Sequence, residues 1–313
     1  MPLVHVNMVS PLEFRLVIII EDGRLGNQLY QLFHASHLAP DGLCIIIGMA
    51  TISPYFSGPN VLFISNLLPA CVSSPLISVL VRLRFCLRFF LRYFPLISYL
   101  PPQAVPPVPS FNIHKGFLSS ILFFDDLTFA SSSPLCSVGL HHSLTYTSRF
   151  KVLIDLIQRR ITSLTNANTH NRYFIHVRRG DYLHWPTPES PAVLPISWYH
   201  SAMSLILSYD PHAYFVLLSD DPDIVHNFIP YFHNLIFLSS TPLDDFVAML
   251  TCGGGGIISP SSFSFWAAFL AKSNFPESKY FAPRYWLGWS SGQWLPEGSC
   301  QPWLSYLNVT SST

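Results

Sequence analysis

The stretch YFIHVRRGDYL sets two adjacent arginines, Arg178 and Arg179, and the acidic Asp181 directly behind an apolar run. An arginine is a planar, permanently charged fork of donors, suited to a diphosphate or a carboxylate. Neighbouring residues on an extended segment point opposite ways. One arginine can therefore face a ligand while the other pairs with Asp181 across the Gly180 turn; a plain strand-end Arg–Asp pair that closes a loop is the alternative. A second stretch, GIISPSSFSFWAAFL, runs from an apolar segment into a helix through Ser261 and Ser262. Hydroxyls and unpaired N–H groups at a helix start can hold a phosphate. Taken alone, the same residues read as an ordinary serine cap. A third stretch, EDGRLGNQL, places Gly23 and Gly26 where the backbone can approach a ligand, with Asn27 or Gln28 presenting an amide. It fits neither a P-loop nor the dinucleotide glycine fingerprint.

Other chemistries find less support. Asp221-Pro222-Asp223 has the D-x-D spacing used by metal-dependent glycosyltransferases. Asp as cap, Pro at the first helical position and Asp in the first turn is also a standard helix start, and that reading is preferred. CGGGG precedes a strand instead of following one, so it reads as a flexible turn and not as a nucleotide fingerprint. The pair His141-His142 sits in a loop without further ligands nearby and reads as exposed. The six cysteines form no C-x-x-C pair, so no metal site or disulfide framework follows. With 17 basic and 17 acidic residues the net charge is zero, which removes the footprint of a nucleic-acid partner. An anion must be bound by a few local groups.

The elements that would position these residues are α/β in pattern. The branched run through residues 13–20 reads as a buried strand, followed by a helix from about Asn27 to Leu38 and a second strand in GLCIIIG. Residues 54–147 are irregular to a pattern reading, and LPPQAVPPVP reads as a polyproline-like connector. Residues 148–164 form an amphipathic helix with Phe150, Leu153, Ile157, Ile161 and Leu164 on one stripe. Beyond the polar turn TNANTHN, strands in RYFIHV, AYFVLLS, NLIFLSS and GIIS alternate with helices in ISWYHSAMSLILS, DPDIVHNFI, PLDDFVAML and SFSFWAAFLA. Alternation with short loops argues for a parallel sheet covered on both faces, with ligands at the carboxyl ends of its strands. The expected division is residues 1–165, an acceptor-side unit, and residues 166–313, a Rossmann-like unit.

In combination and in order, GRLGNQL, HVRRGDYL and DDFVAMLTCGGGGIISPSSFSFWAAFLA resemble the α-1,2-fucosyltransferase family, glycosyltransferase family 11. The tail KYFAPRYWLGWSSGQWLPE is similar to the ends of its members. The resemblance covers roughly residues 14–38 and 172–297. It implies a GT-B fold of two facing Rossmann-like domains with parallel sheets. It also implies inverting, metal-independent transfer of fucose from GDP-fucose to a galactose-terminated glycan, at O2 of galactose. GDP-fucose is then a co-substrate, and no cofactor is needed. Carried over residue by residue, Arg178 is the donor-diphosphate ligand and His176 lies near the nucleotide. Ser261, Ser262 and Phe263 form the phosphate-contacting stretch, with Gly26 beside the donor. Asp245 is the acidic residue that reads guanine, and Asn27 is the loop amide approaching fucose. Asp22 and Asp181 are the candidate general bases, Asp181 more as a partner orienting an arginine. The chain departs from the family pattern at Pro260, where Asn is usual, and at Phe265, where a second Trp is usual.

The resemblance further implies a Golgi membrane or lumenal location. The N-terminal MPLVHVNMVSPLEFRLVIII has no signal-peptide pattern. Asn308-Val309-Thr310 is a glycosylation sequon, which matters only in the secretory pathway. Residues 76–100 look membrane-like, but Arg82, Arg84, Arg88 and Arg92 interrupt them. Four arginines would oppose insertion by roughly 10 kcal/mol. An amphipathic helix fits better, on the protein surface or as a membrane-surface contact. Two other functions stand beside the enzyme: a catalytically inactive nucleotide-sugar-binding or glycan-binding homologue, and a membrane-surface protein using this arginine helix.

Overall fold

The computed structural model describes residues 16–21, 23–38, 42–67, 75, 79, 98–100, 121–124, 144–188, 190–294 and 300–310. Asp22, the arginines of residues 76–100, the proline-rich connector and the His141-His142 pair lie outside the described residues.

The N-terminal sheet holds β1 (Leu16–Ile20), β2 (Leu43–Ile47), β3 (Val61–Phe63), β4 (Ser98–Leu100) and β5 (Ile121–Phe124). Their order is β3-β2-β1-β5-β4, with every neighbouring pair parallel. Branched runs such as LVIII and LCIII suit a pleated surface packed on both faces. Between β1 and β2 runs α1 (Leu25–Leu38), which starts two residues before the expected Asn27. Three of these strands come from residues 54–147, which the sequence pattern left unassigned. Each is three or four residues long, too short to display a period.

The C-terminal sheet follows α2 (Ser148–Thr165). Its strands are β6 (Arg172–Val177), β7 (Tyr214–Ser219), β8 (Leu235–Leu238), β9 (Gly255–Ile257), β10 (Lys279–Pro283) and β11 (Ser305–Leu307). They pair in parallel in the order β8-β7-β6-β9-β10-β11. Helices α3 (Ile196–Tyr209), α4 (Pro242–Leu250) and α5 (Ser262–Asn274) make the crossovers. The order reverses at β6, and a doubly wound sheet opens a crevice beyond its strand ends at such a point. β6 is buried at all six positions, the polar Arg172 and His176 included. Its first residue, the fully buried Arg172, is tied down by donating to Thr169 Oγ1 (2.6 Å) and Thr162 Oγ1 (3.3 Å).

Four expectations change. The tail adds β10 and β11, so the sheet has six strands where four were expected. DPDIVHNFI is not an α-helix: Pro222–Asn227 is a 3₁₀ turn, because six residues cannot repay the nucleation cost of a longer helix. CGGGG is a turn only as far as Gly254, and a buried one. Gly255 opens β9 at φ 124°, and a Cβ there would lie 1.9 Å from the Lys279 carbonyl oxygen. The glycines exist so that β9 can pass between β6 and β10 without side chains. Finally, Leu164 shares the face of Phe150, Ile157 and Ile161 but is 54% exposed, because the last turn of α2 has no described element over it.

Both sheets contribute to one apolar cluster, from Ile19, Leu29 and Phe33 to Trp266, Leu270 and Leu304. At its centre Phe33 of α1 stacks on Trp266 of α5, with ring centroids 4.6 Å apart. Such a contact is worth about 0.5–1.5 kcal/mol beyond the area it buries. It fixes where the start of α1 meets the start of α5.

Candidate functional site

The carboxyl ends of β1, β2, β6, β7 and β8 open on one cleft of about 1130 Å³. The loop after β1 contributes Gly23 to Asn27, and the turn after β2 contributes Ala50, Thr51, Pro54 and Tyr55. From the C-terminal sheet come Arg178 and Asp181, Asp220, Ser239 to Thr241, and Asp245. Ser261, Ser262 and Phe263 begin α5 at the cleft wall. Gly26, Asn27, His176, Arg178, Asp181, Asp245, Ser261, Ser262 and Phe263, singled out from sequence, thus all line the same cavity. Asn308 lies apart from it, exposed, with its side-chain oxygen accepting from Arg284 Nη1 at 3.4 Å.

Arg178 leaves β6 at the switch point and turns into the cleft. Its Nη2 donates to Asp181 and its Nη1 to Asp220 Oδ2 at 2.8 Å. The guanidinium carbon stands 5.4 Å from the centre of the Tyr182 ring. The Tyr182 hydroxyl donates to the Pro260 carbonyl at 2.9 Å, and burial pushes its pKa up to about 12. Arg178 is therefore held at two donors and over one face. A guanidinium has five N–H donors, so three remain for a ligand.

Arg179 turns away from the cleft, which it does not line. Pairing of Arg179 with Asp181 is overturned: its Nε donates to Asp221 Oδ2 at 2.8 Å, and its backbone N–H donates to Asp220 Oδ1 at 2.8 Å. The reason is the register of β6 and β7, which sets Val177 beside Ser219 and so brings the two strand ends together. Gly180 makes room, since a Cβ there would meet Asp220 Oδ2 at 2.5 Å. Asp221 also caps the 3₁₀ turn, accepting from the Asp223 N–H at 3.2 Å with Pro222 next in line. Asp220 was missed from sequence. Its signal is position: it follows a strand end, and that strand turns out to neighbour β6.

At the start of α5, Ser261 caps the helix by accepting from the Phe263 N–H at 3.3 Å. Ser262 Oγ donates to Asn27 Oδ1 at 2.8 Å, across the interface between the two sheets. Gly26 permits this approach, because a Cβ would lie 2.5 Å from Phe263 N and 2.6 Å from Ser262 Oγ. The positive end of the α5 dipole, two hydroxyls and an amide therefore meet within one helical turn, beside Arg178. His176 sits beneath them with Nδ1 2.7 Å from Ser259 Oγ and its ring 5.3 Å from Phe263. Burial, with Arg178 nearby, drives its pKa down to about 3, so it is a neutral imidazole at any physiological pH. Asp245 faces the cleft from the first turn of α4 and accepts from the Ser240 N–H at 3.2 Å. Burial raises its carboxyl to about 6.

Pro260 and Phe265, the two departures from the expected pattern, are both accommodated. The Pro260 carbonyl anchors Tyr182, and Phe265 packs edge-on against Trp286 with Trp303 also in contact. Among the described residues no three His, Cys, Asp or Glu side chains gather as a metal site needs, and the thiols are free. Burial pushes Cys44 and Cys252 up to about 12, which leaves both unreactive.

Two parallel sheets that turn their strand ends toward one another across a cleft make this an α/β protein of GT-B type. The sequence model of glycosyl transferase family 11 matches residues 124–283, just over half of the chain, and the chain belongs to that family. No curated protein matches it. Among solved structures it is similar to POFUT1 in complex with GDP, at 12% identity over 88% of this chain and 99% of that one, with a TM-score of 0.51. It is also similar to NodZ alpha-1,6-fucosyltransferase soaked with GDP-fucose, at 14% identity over 82% of this chain and 93% of that one, TM-score 0.44. Fucosyltransferase NodZ from Bradyrhizobium gives 14% identity, 82% and 92%, and 0.43. The GT-B-like fold expected from the sequence is the fold of the chain.

Proposed function

We propose that this chain transfers L-fucose from GDP-fucose to a glycan hydroxyl, O2 of a terminal galactose, with inversion and without a metal ion. The observation that carries the reading is the meeting of Arg178, the serine-capped start of α5 and Asn27 at one point of the cleft. The diphosphate lies across that point, guanine against Asp245, and fucose toward Asn27. The bond from fucose C1 to the diphosphate oxygen breaks, and GDP leaves with the electron pair. A bond from the acceptor oxygen to C1 forms on the opposite face, and the acceptor proton passes to water. Asp181 is engaged by Arg178, so it acts as a positioning residue here. Negative charge grows on the departing diphosphate, and the free N–H groups of Arg178 and the α5 terminus are aimed where it grows. That is the task a metal ion has in other glycosyltransferases, and Asp221, the nearest D-x-D carboxylate, is already engaged by Arg179 and by its own cap. Residence in the Golgi, with Asn308 exposed as a glycan acceptor, belongs to the same proposal.

Release of GDP from GDP-fucose with a β-galactoside tests it. Arg178→Ala is expected to lower kcat by about 10²–10³, and a chelator is expected to leave the rate unchanged. Saturable donor binding without turnover would instead identify an inactive homologue, and strict metal dependence would reassign Asp221 and Asp223.

A further inference from the structure

The cleft wall on the N-terminal side is a rigid surface without an assigned task. After β2 the chain turns through Gly48 and Met49, at φ 99° and 54°. Met49 is fully buried. A residue other than glycine stays in the left-handed region only when its surroundings over-determine it, and such residues gather at functional sites. Here the Met49 N–H donates to the Glu21 carboxylate, while the N–H groups of Ile52 and Ser53 return to the Met49 carbonyl at 3.0 and 2.9 Å. The far end is fastened to the start of α2. Thr147 Oγ1 donates to the Pro54 carbonyl at 2.8 Å, and the Thr147 N–H donates to the Tyr55 carbonyl at 3.1 Å. The Tyr55 ring rests 5.6 Å from that of Phe150.

What this fixed turn shows to the cleft is Ala50, Thr51, Pro54 and Tyr55. Ala50 and Pro54 are apolar, Tyr55 is amphipathic, Thr51 is polar and none is charged. The hydroxyls of Thr51 and Tyr55 make no hydrogen bond among the described residues. A pyranose has the matching chemistry: a face of C–H groups that packs on a proline or aromatic ring, with hydroxyls around its edge. A second anionic ligand would ask for charge, which these four residues lack; on the N-terminal side only Arg24 among the described residues, from the loop after β1, lines the cleft as a cation.

We infer that residues 50–55 are the acceptor platform: the acceptor sugar packs on Pro54 and Tyr55 and hydrogen-bonds Thr51 and the Tyr55 hydroxyl, across the cleft from Arg178. The inference rests on the fucosyl-transfer reading above. Held at both ends, the turn positions the attacking hydroxyl without having to order itself first.

Initial rates with GDP-fucose and phenyl β-D-galactopyranoside, varied separately, test it. Thr51→Val and Tyr55→Phe are expected to raise the acceptor KM by about tenfold, with the donor KM unchanged. GDP release in the absence of acceptor should also stay at the wild-type level. Tyr55→Leu should be more severe; because Tyr55 also packs on Phe150, the exposed Thr51→Val is the decisive variant if that protein does not fold. Acceptor KM values within twofold of wild type, with transfer intact, overturn the platform and leave the fucosyl-transfer reading standing. Wild-type protein that never transfers fucose removes both.

Discussion

At the scale of single residues, the site separates two groups that would be confused in a pH profile. His176 is the residue that sequence habit would make responsible for a change near neutrality. Buried against Ser259 and close to Arg178, it is already neutral down to about 3. Asp245 is the group with a raised value, near 6, set first by burial and then by Asp244, against the Ser240 N–H and Arg160 of α2. In the proposed reaction its carboxylate accepts from guanine, and only the ionised form can accept twice. Above pH 6 the carboxylate is charged and donor affinity is flat. As pH falls through about 6 it gains a proton, and the donor Kd is expected to rise about tenfold per unit. Calorimetric titration of GDP-fucose, whose doubly esterified diphosphate does not itself titrate there, checks this across that range, and Asp245→Asn should bind weakly with no acid limb. A limb that persists in that variant would assign the titration elsewhere. The residue types at these positions were legible because they follow apolar runs, where charge has no structural excuse. Pairing was legible in part: Arg178 with Asp181 is the strand-end pair that the spacing offers as an alternative, while Asp220 is brought to Arg178 only by the register of β6 and β7.

At the scale of elements, the start of α1 is held against the start of α5 by the absence of a side chain. A Cβ on Gly26 would need the space of Phe263 N, a backbone atom, and of Ser262 Oγ, which is held by its hydrogen bond to Asn27. Gly26→Ala is therefore expected to destabilise the protein by about 1–3 kcal/mol. It should also weaken donor binding, because the Ser262–Asn27 hydrogen bond and the helix terminus must separate. Chemical denaturation and GDP titration of the same preparation measure both; normal donor affinity would mean the contact is packing alone. Sequence pattern recovered the long helices here, α1 and α2, and the strands β1, β2, β6, β7, β8 and β9. It missed β3, β4, β5, β10 and β11, each of three to five residues, whose pairing energy comes from neighbours far along the chain. The glycines of residues 253–256 misled for the same reason: their purpose is set by Tyr173, Phe174 and Lys279 on adjoining strands.

For the molecule as a whole, the shared cluster matters more than the presence of two sheets. Phe33 and Trp266 stack across the boundary between them, and the apolar contacts continue from Ile19 to Leu304. The two sheets are expected to unfold in one cooperative transition, seen as coincident far-ultraviolet and tryptophan signals. Trp266→Ala should lower its stability by about 3–5 kcal/mol; separate transitions for the two halves would show that the cluster does not couple them. The hydrogen bond between Ser262 and Asn27 closes a separation of 235 positions in the chain. On a ribosome adding about 5–20 residues each second, the amide is made roughly 10–50 s before the hydroxyl that fastens it. No nucleotide in the surrounding fluid can find a finished seat during that interval. Donor sugar can steady the completed protein, but it cannot guide the growing one.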